Sequence, residues 1–220
     1  MTIRVLLADD EALLRMAFTT VLDAQPDMRT VGGAADGDEA IRLARQMRPD
    51  VVLMDVRMPG TDGIEATRRI VRVSPQSRVL ILTTFDLDEY AFAGLKAGAS
   101  GFLLKNVRPE ELLTAIRDVA AGDAVVSPRI TRRLLENFAA HIPGDGGHRR
   151  DEQLRLLTTR ERQVLVQVAR GLSNAEIAAA LHLAEATVKS HLGRILQKLQ
   201  LRDRVQAVVF AYESRLVHPD

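Results

Sequence analysis

Val51-Val52-Leu53-Met54-Asp55-Val56-Arg57-Met58-Pro59-Gly60 decides how the rest of the 220-residue chain is read. A short, apolar, β-branched run ends on a lone carboxylate, and a Pro-Gly turn follows at once. Runs of this kind are buried strands of parallel sheets, and the residue at the strand's C-terminal end faces the crevice where such sheets bind ligands. An aspartate in that place does nothing for packing. It either caps the following helix or does chemistry.

Three more apolar runs end in the same way. Ile3-Arg4-Val5-Leu6-Leu7-Ala8 leads into Asp9-Asp10-Glu11, Val79-Leu80-Ile81-Leu82 into Thr83-Thr84, and Gly101-Phe102-Leu103-Leu104 into Lys105-Asn106. Strands alternating with amphipathic segments imply βαβ units and a parallel sheet, whose C-terminal strand ends gather on one edge. Carboxylates, a hydroxyl and an ammonium then share one small site. Clustered carboxylates suit Mg²⁺. Asp55 suits nucleophilic attack on a phosphoryl group with formation of an acyl phosphate. Lys105 and the Thr83 hydroxyl suit the incoming phosphoryl oxygens. Each residue also has a bland reading: Asp9 or Asp10 as a helix N-cap, Thr83 as a strand hydroxyl, Lys105 as a solvated charge. Their arrival at strand ends in this order favours the shared site.

At these residues the chain resembles the receiver domain of two-component response regulators. The match runs from Ile3 to Gly122 and is carried by Asp9-Asp10, Leu53-Met54-Asp55-Val56-Arg57-Met58-Pro59-Gly60, Thr83, and Lys96-Ala97-Gly98-Ala99-Ser100-Gly101-Phe102-Leu103-Leu104-Lys105. The resemblance implies an α/β domain with a five-stranded, parallel, doubly wound sheet of the flavodoxin-like kind. It implies Asp55 as phospho-acceptor, Asp9, Asp10 and Asp55 as the Mg²⁺ ligands, and Thr83 and Lys105 as the phosphate-sensing switch pair. Phe102 matches the family's rotating aromatic, which is often a tyrosine. Arg57 and Phe85 match positions that tune phosphoryl lifetime, and a bulky Phe85 implies slow self-dephosphorylation.

Length and composition fit two domains. With 46% hydrophobic residues the chain can build proper cores. Neither a membrane-length apolar run nor a signal peptide is expected, and zero cysteines fits a cytoplasmic protein. Residues 1–122 hold 15 basic and 18 acidic side chains, whereas 123–220 hold 15 and 11. A basic C-terminal half hints at a polyanionic partner. The preference for Arg over Lys, 26 to 4, is read as a GC-rich genome and not as function. A helical pattern from Pro109 to Ala121 stops at Gly122-Asp123, which places the receiver at 1–122. Residues 123–152 read as an interdomain linker with a possible helix from Pro128 to Ala140, followed by the flexible composition of Ile142 to His148. The second domain is then 153–220.

Beyond the linker the pattern is of short helices. Thr158 and Glu161 have capping-box spacing ahead of Val164, Leu165 and Val168, with Gly171 as the C′ residue. Ser173 and Glu176 repeat the box. His182-Leu183-Ala184 is a tight connection, and a third helix runs through Val188, Leu192, Ile195, Leu196 and Leu199, with Lys189, Ser190, Gly193, Arg194, Gln197 and Lys198 on its other faces. This is a helix-turn-helix pattern, against the alternative of an ordinary solvated helical face.

Leu157 to Leu165, Gly171 to Ala178 and Thr187-Val188-Lys189-Ser190-His191-Leu192 resemble the LuxR-type effector domain, an all-α, four-helix fold. With the receiver this is similar to the NarL/FixJ class of response regulators. The resemblance implies major-groove contacts from Lys189, Ser190 and Arg194, phosphate contacts from Thr187 and His191, and dimerisation through Val205, Val208, Val209 and Tyr212 on a last helix from Arg204 to Leu216. That apolar face could equally pack within its own domain. At Gly193, where several relatives are basic, the chain departs from the pattern. The implied partners are a sensor histidine kinase, double-stranded promoter DNA, a second copy of the chain once phosphorylated, and RNA polymerase, with no membrane. The implied switch moves Thr83 and Lys105 toward the phosphoryl group, turns Phe102 inward and reshapes the surface from Tyr90 to Gly101. Two rivals stand beside this reading. A haloacid-dehalogenase-type phosphatase also uses a strand-end Asp with Mg²⁺, but needs a second Asp where this chain has Arg57. A constitutive DNA-binding protein with an idle receiver is the other.

Overall fold

Strand and helix alternate through the first half of the chain: β1 (Ile3–Ala8), α1 (Ala12–Asp23), β2 (Met28–Ala34), α2 (Gly37–Met47), β3 (Val51–Asp55), α3 (Gly63–Val73), β4 (Arg78–Thr83), a helical segment at 93–97 (α4), β5 (Gly101–Leu104) and α5 (Pro109–Ala121). The computed structural model describes residues 2–83, 93–122 and 152–217. The readings at Phe85, Tyr90, the possible helix 128–140 and the segment 142–148 lie outside the described residues. The chain divides into two units, Met1–Val125 and Val126–Asp220, a division inside the stretch read as linker.

The five strands are all parallel, in the order β2-β1-β3-β4-β5. β3 lies at the centre with all five residues buried, as its uninterrupted apolar run requires in a sheet covered on both faces. One face packs Val5, Leu7, Leu53, Leu80 and Leu82 against Leu22 of α1 and Leu112, Leu113, Ile116 and Val119 of α5. α2 and α3 pack on each other and on the strands. The register sets Ala8 beside Met54, Asp55 beside Leu82 and Thr83 beside Leu104, so the residues after β1, β3, β4 and β5 emerge together.

The loop after Asp55 is clamped. Asp62 caps α3 by accepting from the Ile64 and Glu65 amides at 3.0 and 2.8 Å, and the Gly63 amide donates back to the Val56 carbonyl at 2.9 Å. A Cβ on Gly63 would stand 1.8 Å from the Asp55 carbonyl oxygen. Glycine is required there for close approach.

The second unit holds α6 (Thr159–Ala169), α7 (Asn174–Leu181), α8 (Glu185–Leu199) and α9 (Arg204–Glu213) around one apolar cluster that includes Val164, Val168, Ile177, Val188, Ile195 and Phe210. Both capping boxes are formed in both directions, at Thr158/Glu161 and Ser173/Glu176. All four helices end alike. A residue with positive φ (Gly171, His182, Gln200, Arg215) precedes a leucine whose amide bonds back five residues, to Gln167, Ala178, Leu196 and Ala211. Those leucines, Leu172, Leu183, Leu201 and Leu216, pack against the core. This is the Schellman ending with its apolar contact. It stops α9 at Glu213, three residues before the Leu216 expected from the sequence.

The clamp makes Gly63→Ala a test of the architecture. The variant is expected to lose about 1–3 kcal/mol, read as a lower urea midpoint at unchanged slope. An unchanged midpoint would show that the loop yields to the added methyl.

Candidate functional site

Asp9, Asp55 and Lys105 meet at the C-terminal edge of the sheet, with side chains only 5 to 7% exposed. The Lys105 ammonium lies 2.8 Å from Asp9 Oδ2, 3.1 Å from Asp55 Oδ2 and 3.7 Å from Glu11 Oε1. Asp9 reaches this position through an early turn, its Oδ1 accepting from the Glu11 amide at 2.9 Å where α1 begins. Asp9 is therefore not a helix cap, since Glu11 is the N-cap residue of α1 and no side chain caps that helix. One oxygen holds the turn before α1 and the other faces Lys105. Thr83 is buried at the end of β4, and its carbonyl accepts from the Lys105 amide at 2.7 Å, which ties the two residues through the main chain.

Two carboxylates and one ammonium leave the pocket underpaired. Burial pushes the Asp55 carboxyl above its ordinary value, Lys105 pulls it down, and the Asp9 charge adds to the upward push. For Lys105, burial works against the charge, but its pairing with the Asp9 and Asp55 carboxylates outweighs it and holds the ammonium above its ordinary value. Lys105 stays charged at neutral pH.

The residues present fit a divalent cation. One oxygen from each of Asp9, Asp10 and Asp55 lies within 4.8 Å of the others. Asp10 is exposed while the other two are buried, and Asp9 Oδ2 has only the ion pair with Lys105, without the alignment of a hydrogen bond. Hard, partly satisfied carboxylates open to solvent on one side are the donor set Mg²⁺ takes. Exposed Arg57 lines a cleft of about 380 Å³ with Val56, Met58, Asp62 and Ile64, next to Asp55 in the chain. The Phe102 ring is already buried, 1% exposed. The inward turn expected of it on phosphorylation has no outward starting point here.

In the second unit α7 and α8 form the helix-turn-helix, and the Arg160 guanidinium braces the connection by donating to the Leu181 carbonyl at 2.6 Å. Val188, Leu192, Ile195 and Leu199 of α8 are buried. Lys189, Ser190, Gly193, Arg194, Gln197 and Lys198 are exposed, and Thr187 and His191 are half-buried. Two details refine the sequence reading. Lys198 is engaged, its ammonium 2.7 Å from buried Glu161, whose carboxyl burial would raise but Lys198 and the Thr158 amide hold below the ordinary range. His191 Nδ1 is enclosed with no partner among the described residues. The N-cap residue of α8 is Ala184, so no side chain caps its start.

The residues read as a dimerisation face on α9 are not exposed in this structure. Val205, Val208, Val209 and Tyr212 are all buried, and Val208 and Tyr212 belong to the helical core. In this conformation the four do not form a free surface. Sequence reading also missed Glu11, Gly63 and the Glu161–Lys198 pair. Only Glu161 carried a signal, its capping-box spacing, and that signal says nothing of a lysine 37 residues away.

Burial of Asp55 has a stability consequence. With its folded value above the unfolded one, this group's stabilising contribution is complete below the ordinary carboxylate range. It is lost as pH rises through the raised value, so at neutral pH the ionised carboxylate is a net cost. Asp55→Asn is expected to raise the receiver's Tm by a few degrees at neutral pH in chelator, and to shrink the further rise that Mg²⁺ gives the wild type. A lower Tm for the variant would show that attraction to Lys105 outweighs the burial cost.

Comparison with known proteins follows the same division of the chain. Residues 5–117 match the family model of the response regulator receiver domain, and residues 155–211 that of the bacterial regulatory proteins of the luxR family. The chain is 47% identical to the uncharacterized transcriptional regulatory protein YxjL of Bacillus subtilis (strain 168), over 98% of this chain and 97% of that one. It is 37% identical to the response regulator protein VraR of Staphylococcus aureus, over 99% of this chain and all of VraR. Among solved structures, the response regulator ChrA of a heme-sensing two-component system aligns with a TM-score of 0.52 at 34% identity, over 98% of this chain and 99% of ChrA. Both matched families are regulatory, and neither supports the phosphatase alternative.

Proposed function

The chain belongs to the two-component response regulators that join a receiver domain to a LuxR-type DNA-binding domain, and from that premise we propose that phosphorylation of Asp55 by a sensor histidine kinase controls its binding, as a dimer, to specific promoter DNA. The observation that carries this reading is the convergence of Asp55, Asp9, Asp10, Thr83 and Lys105 on one sheet edge. The same chain presents Lys189, Ser190 and Arg194 on an exposed helix-turn-helix face. The proposed division is a receiver at 1–122, a linker at 123–152 and an effector at 153–220. No helix among the described residues is long and apolar enough to cross a membrane, and we assign the protein to the cytoplasm.

In the proposed transfer an Asp55 oxygen bonds to phosphorus as the bond from phosphorus to the donor imidazole nitrogen breaks. The imidazole leaves with the electron pair. Asp9, Asp10 and Asp55 would hold Mg²⁺, which supplies positive charge opposite the phosphoryl oxygens when bound. Lys105, already charged and 3.1 Å from Asp55, follows the new negative charge. The Thr83 hydroxyl hydrogen-bonds to it. Because the Lys105 amide is bonded to the Thr83 carbonyl, the two strand ends shift together. At the DNA, the uncapped start of α8 offers first-turn amides to a phosphate, beside Thr187 and His191. Lys189, Ser190 and Arg194 face the major groove. Two half-sites raise affinity through effective concentration, so dimerisation itself serves as the switch. Recruitment of RNA polymerase completes the proposal.

The decisive experiment treats the full-length protein with acetyl phosphate or beryllofluoride and Mg²⁺. Oligomeric state and DNA affinity are then followed beside Asp55→Asn. The wild type is expected to dimerise and gain affinity while the variant does neither. A response from neither would favour constitutive DNA binding with an idle receiver. DNA affinity is also expected to fall steeply with salt. With Phe85 two residues past Thr83, loss of the phosphoryl group is expected to be slow, and an acyl-phosphate half-life of seconds at neutral pH would contradict the role assigned to that ring.

A further inference from the structure

Gly193 stands in the middle of α8 on its exposed side, and nothing among the described residues asks for a glycine there. Each of the other helical glycines among the described residues is held by a neighbour that a Cβ would strike. Gly37 comes within 2.2 Å of the Thr61 carbonyl, Gly63 within 1.8 Å of the Asp55 carbonyl, and Gly94 within 2.2 Å of Ile81 Cδ1. At Gly193 no heavy atom of the described residues, apart from its chain neighbours and its own helix backbone, lies within 4 Å of the Cβ position, and its φ is not positive. Neither close packing nor left-handed backbone accounts for it. Glycine is the poorest helix former after proline, because it gives up the most backbone freedom on folding. Placed mid-helix and exposed, it weakens α8 without any return from within the chain.

The return comes from outside. Ser190 and Lys189 lie three and four residues before Gly193, Arg194 follows it, and Gln197 lies four residues after, all exposed on this helix. The missing side chain leaves a notch in the helix surface between polar groups that reach past it. Resting on the reading of α8 as the recognition helix, we propose that Gly193 is a specificity-determining residue. Its bare backbone lets a base-pair edge of the major groove, a thymine methyl above all, come into direct contact with the helix. A methyl at this position fills the notch and keeps that one base-pair edge from the backbone. The loss then falls on sequence readout, because phosphate contacts from flexible lysine and arginine side chains adjust.

The test selects binding sites from a randomised DNA pool with full-length, beryllofluoride-activated protein, for wild type, Gly193→Ala and Gly193→Lys. Affinities are then measured on the wild-type consensus and on random-sequence DNA. Gly193→Ala is expected to bind the consensus about tenfold more weakly, the size of a single mismatched base pair. It should relax selection at one position per half-site and leave random-sequence binding unchanged, with a Tm no lower than wild type. Gly193→Lys should bind random DNA more tightly with a steeper salt dependence, and discriminate less. If Gly193→Ala selects the same consensus with the same ratio of specific to random binding, the glycine is merely tolerated and the proposal falls. A reduced Tm for Gly193→Ala would equally overturn it, since the fold would then require the glycine. A wild type that selects no consensus at all would instead defeat the DNA-reading function on which the proposal rests.

Discussion

One ammonium shared between two buried carboxylates is the constraint on which the receiver is organised. Lys105 sits about 3 Å from both Asp9 and Asp55, three groups carried by three different strand ends of one sheet. A unit-charge pair at that distance is worth roughly 5 kcal/mol at an effective dielectric of ~20. Burial of the charged groups takes much of this back. The balance leaves a surplus of negative charge that the protein itself does not neutralise. Such a donor set suits a divalent cation, and the proposed phosphorylation of Asp55 would add further charge to it. The backbone serves that balance. β3 is buried along its whole length, Gly63 lets α3 start against the Asp55 carbonyl, and the ladder ties Thr83 to Lys105.

The second unit solves a different problem with local means. Its helices are short, and short helices hold only when their ends are satisfied. Two reciprocal capping boxes and four Schellman endings do this, and each ending also delivers a leucine to the core. The Glu161 carboxylate combines the two scales. It accepts from the Thr158 amide at the start of α6 and from Lys198 in the last turn of α8, so the helix that presents Lys189, Ser190 and Arg194 is fixed at its far end. Stabilisation of this kind asks nothing of Gly193 on the exposed side of α8, and for that reason a glycine there stands out.

Much of this was legible along the chain. The apolar runs ending in Asp55, Thr83 and Lys105 announce buried parallel strands, and the Thr158/Glu161 and Ser173/Glu176 spacings announce helix starts. β2 was not legible as an apolar run. Only Met28 and Ala34 of its seven residues are buried, and Gly32-Gly33 breaks any pattern. Three of the four Schellman endings were hidden as well, because His182, Gln200 and Arg215 adopt a backbone region that their side chains do not advertise.

What the sequence determined by itself were features set by near neighbours: strand ends, caps, turns, and the order in which chemical groups appear. Resemblance then supplied the roles. What only the tertiary structure decided were pairings between residues far apart in the chain. Lys105 finds Asp9 as well as Asp55, Lys198 finds Glu161, and the apolar face of α9 places Val208 and Tyr212 in its own domain's core. The physical reason is that side-chain periodicity reports which residues share a face, while what covers that face, and which charge meets which, depends on how distant elements pack.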